Sequence, residues 1–129
     1  MYELKILSQF AAAHQLREFG GKCEQMHGHN WKVEVRVEGE ELDQTGLLID
    51  FQEIKTATAR VLGRLDHKLL NEVSPFDRLN PSSEHIARYI FEALQEELKD
   101  PGVRVSRVTA WESDTAGASY YISPARQTV

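Results

Sequence analysis

Hydrophobic and polar positions alternate most cleanly over residues 30 to 38. Trp31, Val33, Val35 and Val37 fall on one face and Lys32, Glu34, Arg36 and Glu38 on the other, the period-two signature of a half-buried strand. Residues 2 to 10 begin in the same way, with Tyr2, Leu4 and Ile6 against Glu3 and Lys5. Gly39 and Glu40-Glu41 end the second strand. Asp50 and Glu53 then supply an Asp-x-x-Glu helix start. Phe51, Ile54, Val61, Leu62 and Leu65 recur at helical spacing to about residue 65. A second helix starts at Ser82 or Ser83, after Asn80-Pro81, with Ile86, Ile90, Ala93, Leu94 and Leu98 as its buried stripe. Pro101-Gly102 stops it.

Strand-like composition returns over residues 103 to 112. Val108, Ala110 and Glu112 share one face, and Arg107, Thr109 and Trp111 the other. A last strand over 117 to 123 runs through Ala118, Tyr120 and Ile122. The order ββααββ predicts an α+β domain spanning residues 1–129, an antiparallel sheet with both helices on one face. Four strands leave two edges, which favours a homo-oligomer.

Composition narrows the class. In 129 residues, 41% are hydrophobic and 27% charged, an ordinary globular mixture that buries a core without metal or disulfide staples. The formal charge of -5 argues against broad nucleic-acid binding or docking on an anionic membrane. A single cysteine excludes an internal disulfide and suits a reducing compartment. With neither a leader-like N-terminus nor a long apolar run, the chain reads as soluble and cytoplasmic.

The candidate chemistry lies in the histidines. His27-Gly28-His29 leads into the alternating strand, and residues two apart on a strand point the same way. Both share parity with Trp31 and Val33, so they face the apolar side. His14 shares parity with Tyr2, Leu4 and Ile6. If the first two strands pair, three imidazoles converge, a set that binds Zn²⁺ with one open position. The plainer reading, three histidines bonded to backbone, is disfavoured because a core-facing His-x-His is costly without a partner.

Cys23, between Gly20-Gly21-Lys22 and Glu24-Gln25, reads in three ways: a small buried hydrophobe, a fourth metal ligand, or a thiolate poised as base or nucleophile. Asp66-His67 closes the first helix and is weak evidence alone. His85 reads as a surface residue. Glu112 is an inward carboxylate, which requires a basic residue or a ligand as partner.

Together, Cys23-Glu24-Gln25-Met26-His27-Gly28-His29-Asn30, the upstream His14, Asp66-His67 and Trp111-Glu112-Ser113 resemble the 6-pyruvoyltetrahydropterin synthase superfamily. The spacing from Cys23 to His27 is most similar to its bacterial 6-carboxytetrahydropterin synthase branch, of queuosine biosynthesis. The resemblance implies the tunnelling fold, assembled into a hexamer or related ring with sites between subunits. It also implies Zn²⁺ on His14, His27 and His29, Cys23 as proton acceptor with Asp66 and His67 as relay partners, and Glu112 as the pterin anchor. A hydroxyl-rich turn, here Ser82-Ser83, would approach the pterin. The implied substrate is 7,8-dihydroneopterin triphosphate, with 6-carboxytetrahydropterin, acetaldehyde and triphosphate as products and no redox cofactor. Arg17 and Lys22 flank the site as candidate triphosphate cations, although solvated loop charge is their plainer reading. Glu24 offers an alternative acid at the spacing used by aldolase-type relatives.

Overall fold

The computed structural model describes residues 1–17 and 25–123. Along the chain these are β1 (Tyr2–His14), β2 (His27–Gly39), α1 (Phe51–Gly63), β3 (Lys68–Leu69), a short 3₁₀ turn (Leu70–Glu72), α2 (Ser83–Glu97), β4 (Arg104–Ser113) and β5 (Ala116–Tyr120). The sheet runs β3-β1-β2-β4-β5. All pairs are antiparallel except the two-residue parallel pairing of β3 with Ala12 and Ala13 of β1.

The two leading strands are longer than periodicity predicts. β1 continues through the uninformative run Ala11-Ala12-Ala13 to His14, in register with β2 from Tyr2↔Gly39 to His14↔His27. Alternation therefore carries Ile6, Phe10, Ala12 and His14 to the helix-covered face, opposite Val35, Trp31, His29 and His27. Ile54, Val61 and Leu62 of α1 and Ile86, Ile90 and Leu94 of α2 close that face as one core. Asp50 caps α1 by accepting the Gln52 N–H at 2.8 Å, and Ser82 caps α2 by accepting the His85 N–H at 3.2 Å.

Several expectations are corrected. Phe51, placed on the buried stripe of α1, is half exposed because it opens the first turn. α1 ends at Gly63, and Leu65 is buried from the following turn. The fifth strand, β3, was not expected; two residues carry no period. β5 ends at Tyr120, leaving Ile122 exposed. His85 is half-buried, donating from Nδ1 to the Asn80 carbonyl at 2.7 Å. The register of β2 with β4 shifts between Arg36 and Val37, where Ser106 is the extra residue. This bulge turns both Val105 and Val108 inward, although their numbers differ in parity.

Candidate metal centre

At the far end of the β1–β2 pair, His14 and His27 are direct cross-strand partners, and His29 lies two residues further along β2. The His14 ring is 2% exposed, and its Nδ1 lies 2.7 Å from the Pro81 carbonyl oxygen. His27 Nδ1 is 2.8 Å from the Gln25 carbonyl oxygen. A carbonyl only accepts, so each Nδ1 carries a hydrogen, and in the neutral ring Nε2 presents the lone pair. Those two Nε2 atoms lie 3.2 Å apart. Trp31 floors the cluster, its indole edge-on to the rings of His14 and His29.

Glu112 completes the group. It follows the last β2–β4 pair, Lys32↔Trp111, and is the residue skipped where the β4–β5 register shifts between Trp111 and Ser113. A bulge re-aims side chains; here the carboxylate reaches the histidines. Its Oε1 is 3.1 Å from His14 Nε2, 3.6 Å from His27 Nε2 and 2.9 Å from His29 Nε2. The last contact falls outside hydrogen-bond geometry, so among the described residues the buried His29 Nε2 has Glu112 beside it but no well-formed hydrogen bond. Burial of the ring holds the His29 pKa below its ordinary value, against the pull of Glu112.

One ligand atom from each of the four side chains lies within 4.8 Å of the others. An ion about 2.0–2.1 Å from tetrahedral donors separates them by roughly 3.3 Å. The observed separations of 2.9–3.6 Å bracket that edge. Lone pairs and a carboxylate aimed at one point fit a divalent cation. The expected trio is therefore brought together. Glu112 joins them as a further candidate donor, which parity alone does not reveal because register and bulge bring it in.

Asp66 and His67 are not in this cluster. They clamp the opposite edge of β1: the Ala11 N–H donates to Asp66 Oδ1 at 2.9 Å, and the His67 N–H donates to the Ala11 carbonyl at 2.6 Å. His67 adopts φ 58°, a left-handed conformation uncommon for a side chain with a Cβ, and this swings its ring back to Asp66, with Nδ1 3.0 Å from Oδ1. The two adjacent side chains therefore face each other. The Ala11 N–H, with smaller help from His67, holds the Asp66 carboxyl below its ordinary value. His67 and Lys68 border an open depression of about 500 Å³ over Ala13, Gly28 and Asn30.

Ser82 spends its hydroxyl on the α2 cap, and Ser83 begins the helix beside Pro81, whose carbonyl supports His14. The Arg17 guanidinium donates to the Phe76 carbonyl through both terminal nitrogens. Cys23, Lys22 and Glu24 lie outside the described residues.

The architecture and the converging donors define an α+β protein with a histidine-rich candidate metal site built at one end of an antiparallel sheet. Comparison with known proteins gives the family. Residues 3–123 match the family model described as 6-pyruvoyl tetrahydropterin synthase, and the chain belongs to that family. It is 37% identical over 117 residues to a Synechocystis protein named 6-carboxy-5,6,7,8-tetrahydropterin synthase, covering 87% of each. It is 35% identical over 111 residues to the Pyrococcus furiosus dihydroneopterin monophosphate aldolase, covering 85% of this chain and 89% of that one. The structure of Caenorhabditis elegans 6-pyruvoyl tetrahydropterin synthase superposes with a TM-score of 0.85 at 29% identity, over 95% of this chain and 96% of that one. Among the described residues, no helix is long and apolar enough to cross a membrane.

Proposed function

We propose that this chain is a zinc-dependent lyase that converts 7,8-dihydroneopterin triphosphate and one water to 6-carboxy-5,6,7,8-tetrahydropterin, acetaldehyde and triphosphate, in the supply of 7-deazaguanine (queuosine) precursors. The observation that carries the reading is the convergence of His14, His27, His29 and Glu112, with two imidazoles locked by backbone carbonyls in the ligating tautomer. The relative named 6-carboxytetrahydropterin synthase supports the choice of product.

His14, His27 and His29 would hold the metal. A bound Zn²⁺ supplies Lewis acidity, making the C–H and O–H of a coordinated hydroxylated side chain more acidic. Cys23 takes the proton released there, and His67, held by Asp66, returns one to the departing fragment. Glu112, once a cation replaces it as partner to the histidines, accepts hydrogen bonds from the pterin amino group and ring N–H. Ser82 and Ser83 border the pterin side. The reaction is redox-neutral, so no redox cofactor enters.

Within one chain neither Asp66 nor His67 is among the converging donors; both hold β1 from the side away from β2. Among the described residues, β1 carries a sheet partner on its outer side only at Ala12 and Ala13. Both facts support a homo-oligomer, a hexamer or related ring with its sheets joined as a barrel, whose sites draw Asp66 and His67 from a second copy.

The test is incubation of zinc-loaded protein with 7,8-dihydroneopterin triphosphate, with products read by mass beside a metal-stripped sample. Carboxytetrahydropterin with acetaldehyde, lost on stripping, is expected. The resemblance to the Pyrococcus furiosus aldolase favours one rival, a hydroxymethyl product; a pyruvoyl product would likewise move the chain to a sister activity. No product from zinc-replete protein would leave a closed, non-catalytic zinc module with Cys23 or Glu112 as fourth ligand.

A further inference from the structure

The chain just beyond His14 is irregular, yet its backbone is held as tightly as a strand. The Gln15 N–H donates to Asn71 Oδ1 at 2.8 Å, and Asn71 Nδ2 donates back to the Gln15 carbonyl at 2.8 Å. Two residues on, the Arg17 N–H donates to Asn80 Oδ1 at 2.8 Å, and Asn80 Nδ2 donates to the Arg17 carbonyl at 3.0 Å. Each asparagine thus does for alternate residues what a neighbouring strand does for a whole ladder. Only a carboxamide offers an acceptor and a donor at that spacing; a carboxylate of the same shape lacks the donor.

Both asparagines belong to the connection between β3 and α2, and so does Pro81, whose carbonyl accepts from His14 Nδ1. Asn80 is itself anchored, since its carbonyl accepts from His85 Nδ1 at 2.7 Å. Hence the connection grips His14 through its ring, and Gln15 and Arg17 through their backbone. Slippage of residues 15 to 17 against Asn71 and Asn80 would carry the His14 ring away from Pro81. The carbonyl that fixes its tautomer would then be lost.

We infer that Asn71 and Asn80 are positioning residues for metal binding: their clasp on Gln15 and Arg17 holds His14 in its ligating orientation. Metal occupancy and closure of the clasp are therefore linked, each favouring the other to the same degree. This rests on the reading of the histidine cluster as a metal site.

The experiment measures zinc affinity, by competition with a chromophoric chelator, for the parent protein and for Asn71→Asp and Asn80→Asp. Amide exchange at Gln15 and Arg17 in the parent, with and without zinc, accompanies it. The expected result is a zinc dissociation constant about 10-fold higher in each variant, and slower exchange at both amides of the parent once zinc is bound. A purely structural role would lower the unfolding midpoint of the metal-free variants without moving zinc affinity. Unchanged affinity in both variants overturns the inference while leaving the metal site standing. So does exchange at Gln15 and Arg17 that is insensitive to bound zinc, a readout that holds even if the variants do not fold. A parent that binds no zinc overturns the metal reading and the inference together.

Discussion

His14 and His27 face each other across β1 and β2 with their Nε2 atoms 3.2 Å apart, while each Nδ1 hydrogen is already given to a backbone carbonyl. Two neutral imidazoles so arranged present lone pair to lone pair, which needs a proton or a metal ion between them. Removing either ring has different consequences. His27→Ala, at a partly exposed position, is expected to abolish stoichiometric zinc while leaving the unfolding midpoint of the metal-free protein nearly unchanged. His14→Ala leaves the Pro81 carbonyl without its donor and is expected to cost about 1–3 kcal/mol as well as the metal. Metal analysis with urea unfolding of the stripped proteins checks both; equal stability of the two variants would show that the Pro81 contact is idle.

Glu112→Ala is expected to retain zinc on the three histidines and to weaken pterin binding by at least about tenfold, through loss of a charge-assisted pair of hydrogen bonds. Equilibrium dialysis of a pterin, run beside metal analysis, reads both quantities. Loss of the metal instead would make the carboxylate a ligand and not an anchor.

Cys23→Ala is expected to keep both fold and zinc and to lower turnover by about 10²-fold or more, the scale of a missing general base. A variant that sheds its metal would instead identify the thiol as a ligand. Mass-detected turnover and zinc content on the same sample decide it.

Asp66 offers a pH signature. Its carboxyl is held below the ordinary value of 3.8, chiefly by the Ala11 N–H. The unfolded chain therefore takes up this proton at higher pH than the folded one. The advantage of Asp66 over an asparagine that keeps the acceptor oxygen is fully present above the unfolded value and is lost as pH falls through the lower native one. Urea unfolding of parent and Asp66→Asn at pH 7 and pH 3 should give a gap that narrows in acid. A gap of the same size at both would mean the charge contributes nothing.

His67 is in the left-handed region, where a side chain with a Cβ is strained by roughly 1–2 kcal/mol. His67→Gly relieves that strain and is expected to unfold at a urea concentration at least equal to that of His67→Ala, with turnover low in both. A less stable glycine variant would contradict the strain.

Much of this site is legible in the sequence because a strand has a period of two. His14, His27 and His29 carry the parity of Ile6 and Trp31, and parity survives even where Ala11-Ala12-Ala13 blurs the pattern. What parity does not carry is register. The arrival of Glu112 beside three histidines depends on the pairing of Lys32 with Trp111 and on a bulge one residue later. β3 is too short to have a period, and the clamp of Asp66 and His67 on Ala11 follows from one unusual φ. Asn71 and Asn80 look like ordinary turn residues until the backbone they read is known.

The carbonyls behind His14 and His27 belong to Pro81 and Gln25, and neither contact uses a side chain. Every amino acid brings a carbonyl, so the orientation of these two rings is written in the path of the chain and not in its letters. Alanine scanning would pass silently over both positions. The support would surface only under a change that bends the path, such as a one-residue insertion before α2, which would leave all four donors in place yet unable to converge.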